Sequence, residues 1–131
     1  MARDLMVTYF DTNTVIFLHA GRLDRISTRA QRRIDTSDLV ISPMVLLEIQ
    51  MLYEKGKIKY DANRILSDLS QQVGLSVCRL SMTSVVNSAL SMSWTRDPGD
   101  RLITANAHAN NVSSLITSDQ NIQNHYPNTI W

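Results

Sequence analysis

The feature that most restricts the fold of this chain is a repeated alternation of short apolar runs with segments of helical periodicity. The apolar runs lie at residues 5–10, 39–41, 75–80 and 115–117, and Thr129-Ile130-Trp131 offers an edge strand at the end. Between them, residues 13–19, 28–34, 43–53, 61–73, 83–94, 98–110 and 120–125 read as helices. In the fourth of these, Ile65, Leu66, Leu69 and Val73 fall on one helical face. Strands so far apart cannot be joined as hairpins, and crossovers of this length place helices on both faces of a parallel sheet. The expectation is one α/β domain over residues 1–131, three layers deep, with a mostly parallel sheet of four to five strands flanked by helices.

At 131 residues and 44% hydrophobic, the chain can bury a core without covalent staples. Its single cysteine, Cys78, excludes a disulfide framework and a cysteine-rich zinc site, and is compatible with a cytoplasmic location. The apolar run at 5–10 is too short for a signal peptide or a membrane span. A net charge of +1 supplies no global field toward nucleic acid. The distribution is uneven, however. Arg22, Arg25, Arg29, Arg32 and Arg33 crowd one segment, and Lys55, Lys57 and Lys59 follow the helix at 43–53. They form either a solvated basic face or a phosphate-binding rim.

The acidic residues are the more informative charges. Ser42 is suited to cap the helix that Pro43 opens. On that helix the neighbours of Glu48, three and four positions away, are Met44, Val45, Met51 and Leu52, all apolar. A carboxylate on such a stripe requires a partner, either a charge from elsewhere in the fold or a bound cation. Asp11 directly follows the first strand, Asp119 follows the fourth, Glu48 lies on the helix after the second, and Asp100 stands near the start of the helix after Pro98. Open parallel sheets bind ligands beyond the carboxyl ends of their strands, so all four acids can meet at one rim. Carboxylates ~4 Å apart repel by roughly 4 kcal/mol per pair at an effective dielectric near 20. A hard divalent cation such as Mg²⁺ or Mn²⁺ relieves that penalty, and phosphodiester hydrolysis is the chemistry that best uses it.

Each of these residues also has an ordinary structural role open to it. Asp97 is expected to cap the Pro98 helix, Asp100 to complement its dipole, Asp119 to cap the last helix and Asp11 to end a strand. Thr12, Asn13 and Ser118 either orient neighbouring acids or cap helices. Arg96 and Arg101 bracket Asp97 and Asp100, and would hold a substrate phosphate or pair with the acids. His19, His108 and His125 show no ligand spacing.

The ordered motifs resemble those of the PIN-domain ribonucleases, and specifically the VapC-type toxins of toxin–antitoxin pairs. Phe10-Asp11-Thr12-Asn13 is similar to the family's strand-then-DTN start, and Ser42 to Ile49 to its segment ending in the second acid. Lys55-Gly56-Lys57 matches the turn that usually follows. Arg96-Asp97-Pro98-Gly99-Asp100-Arg101-Leu102-Ile103 is similar to the RDPFDRLI signature, with Gly99 where the signature carries a bulky aromatic. Leu115 to Asp119 resembles the closing strand and its acid. The resemblance implies a metal-dependent endoribonuclease toxin with Asp11, Glu48, Asp100 and Asp119 as metal-binding and catalytic acids. It also implies Mg²⁺ or Mn²⁺ as cofactor, structured RNA as substrate, a cognate antitoxin as partner, and a homodimer. Two alternatives stand beside it. A haloacid-dehalogenase-type phosphatase needs a second aspartate two residues after the first, where this chain has Asn13. A PIN-like module that only binds RNA or protein would have no use for all four acids.

Overall fold

Parallel strands near the middle of a sheet are covered on both faces, and the first strand of this chain shows it. The structure, a computed structural model, describes residues 6–131. Leu5, expected to open the first strand, lies outside the described residues. In β1 (Met6–Phe10), Thr8, Tyr9 and Phe10 are all fully buried. Among the described residues, β2 (Ser37–Ile41), β3 (Ser76–Val77), β4 (Ser114–Ile116) and β5 (Thr129–Ile130) complete a five-stranded sheet in the order β3-β2-β1-β4-β5. Every pairing is parallel, with Tyr9 opposite both Val40 and Leu115 and Phe10 opposite Ile116. The chain builds outward from β1 on one side and then returns to its other side, so the switch point of the topology lies between β1 and β4.

The intervening helices are α1 (Thr12–His19), α2 (Thr28–Asp35), α3 (Pro43–Glu54), α4 (Ala62–Val73), α5 (Met82–Ala89), α6 (Pro98–Ala109) and α7 (Gln120–His125). Their starts are written locally. Asp11, Ser27, Ser42, Asp61, Ser81, Asp97 and Asp119 each cap the helix that follows, a side-chain oxygen taking a backbone N–H of the first turn. Gly74 ends α4 in the left-handed conformation, at φ 74°, that a Cβ would resist. A 3₁₀ turn at Leu23–Arg25, not anticipated from the sequence, joins α1 to α2. The core runs along both faces of the sheet through Phe10, Ile41, Ile49, Leu69, Leu115 and Ile116. Each large apolar side chain buried there contributes about 1.5–3 kcal/mol. Among the described residues no helix is long and apolar enough to cross a membrane.

Two elements are shorter than expected. The third strand, expected over 75–80, is confined to Ser76–Val77 because its partner runs out: Val77 sits opposite Ile41, the last residue of β2, after which Ser42 turns away to cap α3. Cys78 N still donates to Ile41 O at 2.8 Å, but Arg79 and Leu80 are exposed. The helix expected over 83–94 stops at Ala89. Arg101, on α6, donates from its guanidinium to Ala89 O at 2.8 Å, Leu90 O at 3.4 Å and Thr95 O at 3.2 Å, tying the segment after α5 into a turn. Met92 is thereby buried and Trp94 stacks on His125.

Candidate functional site

A cavity of about 470 Å³ opens beyond the carboxyl ends of β1 and β4, lined by Asp11, Thr12 and Asn13, by Glu48, Met51, Leu52 and Lys55 of α3, by Asp100 and Ile103 of α6, and by Ser118, Asp119 and Ile122. The switch point between the two strands therefore carries four acids from four separate crossovers.

Asp11 is pinned at the strand end. Its backbone N donates to Ile116 O at 3.1 Å, and its Oδ1 accepts from Thr14 N at 2.9 Å and Thr14 Oγ1 at 2.6 Å. Burial pushes its carboxyl above the usual range, hydrogen bonds from Thr117 and Thr14 pull it back, and the charge of Asp119 adds to the rise. Asp119 is held in the same way, its Oδ1 accepting from Ile122 N at 2.9 Å and its own N donating to Thr117 Oγ1 at 3.0 Å. Asp119 thus fills the capping role expected of it, and Asp11, expected only to end a strand, caps α1 as well, both while lining the cavity. A cap uses one carboxylate oxygen and leaves the other for the cavity.

Glu48 is half-buried rather than enclosed, a correction to the expectation drawn from its apolar neighbours. Of the neighbours expected to enclose it, Val45 is fully buried, Met44 and Leu52 are half-buried and Met51 is 39% exposed, so the stripe is narrower than the sequence suggests. Glu48 stands at its margin, on the cavity wall, with Thr12 Oγ1 donating to its Oε1. The ion pairs among the described residues are His19–Asp68, Arg22–Asp24 and Arg64–Asp68, so no protein cation pairs with Glu48, Asp11, Asp100 or Asp119.

Asp100 reports the field of the whole cluster. Its carboxyl is pushed up to about 6, first by burial and then by the charges of Asp97, Asp119, Glu48 and Asp11. Asp97 caps α6 from outside the cavity wall, its Oδ1 accepting from Asp100 N at 3.0 Å. The donor chemistry suits a hard divalent cation: oxygen ligands, concentrated negative charge and, among the described residues, no ion pair that engages any of the four acids. The acids are arranged openly, and among the described residues no three metal-ligating side chains are gathered closely enough to grip one ion as they stand.

The remaining candidates divide between the cavity and the rest of the fold. Asn13 and Ser118 line the cavity as exposed side chains, and neither caps a helix. Arg101 serves the α5–α6 turn through backbone carbonyls, and Arg96 is exposed in the loop before α6. Of the basic residues, Lys55 lines the cavity. Arg22 pairs with Asp24, Arg25 lies over the Phe17 ring at 5.1 Å, and Arg33 donates to Ser114 Oγ at the opposite, amino end of β4. Two residues that the sequence did not single out are Thr14 and Thr117, the hydrogen-bonding partners of Asp11 and Asp119. Thr14 carried a signal, since it stands three residues after a capping aspartate. Thr117 meets Asp119 locally, two residues along the chain, but its reach to Asp11 carried no signal, because it depends on the pairing of β1 with β4.

Comparison with known proteins bears on this arrangement. Among solved structures, VapBC2 from Rickettsia felis, bound to a DNA fragment from its promoter, superposes with a TM-score of 0.67 at 19% identity, covering 95% of this chain and 96% of that one. A toxin–antitoxin complex from Klebsiella pneumoniae gives a TM-score of 0.67 at 18% identity over 95% and 96% of the two chains. VapBC-1 from nontypeable Haemophilus influenzae gives 0.56 at 17% identity over 91% and 94%. At these identities the likeness establishes the fold. No curated protein matches the chain by sequence. The profile described as the PIN domain matches residues 8–126, a span that reaches from β1 to the end of α7 and takes in all four cavity acids. The chain belongs to the PIN domain family.

Proposed function

We propose that this PIN domain is a divalent-metal-dependent endoribonuclease and the toxin of a toxin–antitoxin pair. The observation that carries the reading is the convergence of Asp11, Glu48, Asp100 and Asp119 on one cavity at the sheet's switch point, none of them held in an ion pair among the described residues. These four acids would hold one or two Mg²⁺ or Mn²⁺ ions, which supply Lewis acidity at the phosphodiester and make water a stronger nucleophile near neutral pH. The protein's part is to orient the acids. Asp11 and Asp119 are fixed by Thr14, Thr117 and their capped helices, Glu48 is turned by Thr12, and Asp100 gives up its proton as pH rises through about 6. Lys55 offers a cation to a substrate phosphate at the same wall, and Asn13 and Ser118 offer an amide and a hydroxyl.

The partners follow from the same reading. One of the similar structures is a toxin–antitoxin complex, which supports a cognate antitoxin as the protein partner. A homodimer is supported by apolar side chains left in solvent beside a second groove, Met82 at 65% exposed, Leu47 at 53% and Leu80 at 39%. RNA as substrate implies a cytoplasmic site of action. The competing reading keeps the fold without catalysis, and the open arrangement of the acids favours it. Purified protein freed of antitoxin, incubated with transfer and ribosomal RNA in Mg²⁺ or Mn²⁺, decides between the two. Wild type should cleave and Asp11→Asn should not. An absence of both cleavage and Mn²⁺ binding by wild type would leave only a binding module.

A further inference from the structure

Gly99 is the second residue of α6 and is buried, yet its backbone is not in the left-handed region that requires glycine. Alanine is the better helix former at such a position. In this chain the space that a side chain would need is already filled. A Cβ built on Gly99 would overlap Glu48 Oε2 outright, lie 2.9 Å from Glu48 Cδ and stand 3.1 Å from Asp97 Oδ1. The Glu48 carboxylate therefore rests on the bare first turn of α6, one oxygen against Gly99 and the other accepting from Thr12 Oγ1. Helix α3 and helix α6 come from different crossovers, and this contact is where the acid of one meets the acid-bearing turn of the other.

We propose that Gly99 is a positioning residue for Glu48: its missing side chain seats the carboxylate against α6, while Thr12 holds it from the opposite side. The consequence for metal binding rests on the nuclease reading above; the seating itself does not. The atom that would be struck is the far end of a flexible side chain, so an added methyl group moves the carboxylate and leaves the backbone in place. Metal ligation tolerates displacements of only a few tenths of an ångström, so a seat lost by one methyl group is a ligand misplaced.

The test uses the full chain and two readouts, Mn²⁺ affinity measured by electron paramagnetic resonance and thermal melting in EDTA. Gly99→Ala should weaken Mn²⁺ binding roughly 10- to 100-fold, the range expected when a ligand's support is changed, while melting in EDTA stays level or rises. Combining Gly99→Ala with Glu48→Asp, one methylene shorter, should recover part of the affinity lost. In a Glu48→Ala background Gly99→Ala should cost no further affinity, because the group it displaces is gone. The metal-free arm stands independently. Thr12→Val should lower the melting temperature of wild type in EDTA, yet have no further effect in Gly99→Ala, since both changes release the same carboxylate. If wild type binds no Mn²⁺, the nuclease reading fails and this metal-free coupling alone decides the seating. Gly99→Ala binding Mn²⁺ as wild type does, additive effects of Thr12→Val and Gly99→Ala in EDTA, or a large drop in melting temperature for Gly99→Ala would each overturn the proposal. The last outcome would mean that backbone, not the carboxylate, had given way.

Discussion

At the scale of single residues, the cavity is governed by burial and by the like charges that share its wall. Asp100 makes the sign of the effect measurable. Its folded carboxyl, at about 6, lies above the ordinary 3.8, so the native state holds this proton more tightly than the unfolded chain does. That advantage is full below about pH 4 and is lost as pH rises through about 6. The position is half open to solvent, which reduces the effect to about 1 kcal/mol. In EDTA, the stability of wild type relative to Asp100→Asn should therefore fall between pH 4 and pH 7, as followed by thermal melts. A difference that stays flat with pH would mean that neither burial nor the neighbouring charges raise the Asp100 carboxyl. Glu48 gives a second expectation. Since no ion pair among the described residues involves Glu48, Glu48→Gln in EDTA should change stability by less than about 1 kcal/mol, whereas breaking a buried ion pair would cost about 3–5 kcal/mol. Added Mn²⁺ should raise the melting temperature of wild type and do so far less for the Gln variant.

At the scale of elements, caps do double service. Asp97 holds the first turn of α6 through Asp100 N, and among the charged neighbours its charge is the foremost cause, after burial, of the raised Asp100 carboxyl. Asp97→Ala should lose about 1 kcal/mol of stability. Asp97→Asn, which keeps a good capping side chain, should melt close to wild type while lowering the pH at which Asp100 titrates, readable by carboxyl NMR. A shared loss in both variants would show that charge rather than capping stabilises the turn. The same α6 supplies Arg101, whose guanidinium ends α5 by taking its last carbonyls. One helix thus sets the start of its own acid turn and the end of its neighbour.

At the scale of the whole molecule, a buried polar network fastens α6 to the sheet. Tyr9 of β1 donates to Cys78 Sγ at 3.0 Å, Asn106 Nδ2 of α6 donates to the same sulfur at 2.9 Å, and Asn110 Nδ2 donates to Tyr9 Oη at 2.9 Å. Tyr9→Phe leaves the sulfur and the Asn110 amide each short of a partner, and should cost about 1–3 kcal/mol. Because the network stands apart from the cavity wall, Mn²⁺ affinity in a folded sample should be unchanged. A titration of the variant alongside its denaturation curve checks both halves.

The alternation of apolar runs with helical periods, the caps at Ser42, Asp97 and Asp119 and the order of the four acids were legible in the sequence, because each depends on neighbours within a few positions. The helix at Gln120–His125 and the parallel, crossover-linked sheet follow from those patterns alone. What the tertiary structure decided lies where distant segments share space. The length of β3 is set by where β2 ends, and the end of α5 by an arginine twelve residues beyond Ala89. The exposure of Glu48 depends on what the rest of the fold leaves uncovered beside α3, which no spacing along the helix reports. Thr117 reaches Asp11 only because β1 and β4 pair, and Gly99 matters only because Glu48 lies against it. Local chemistry determined which groups this chain could bring to a site, and long-range packing decided which of them meet there.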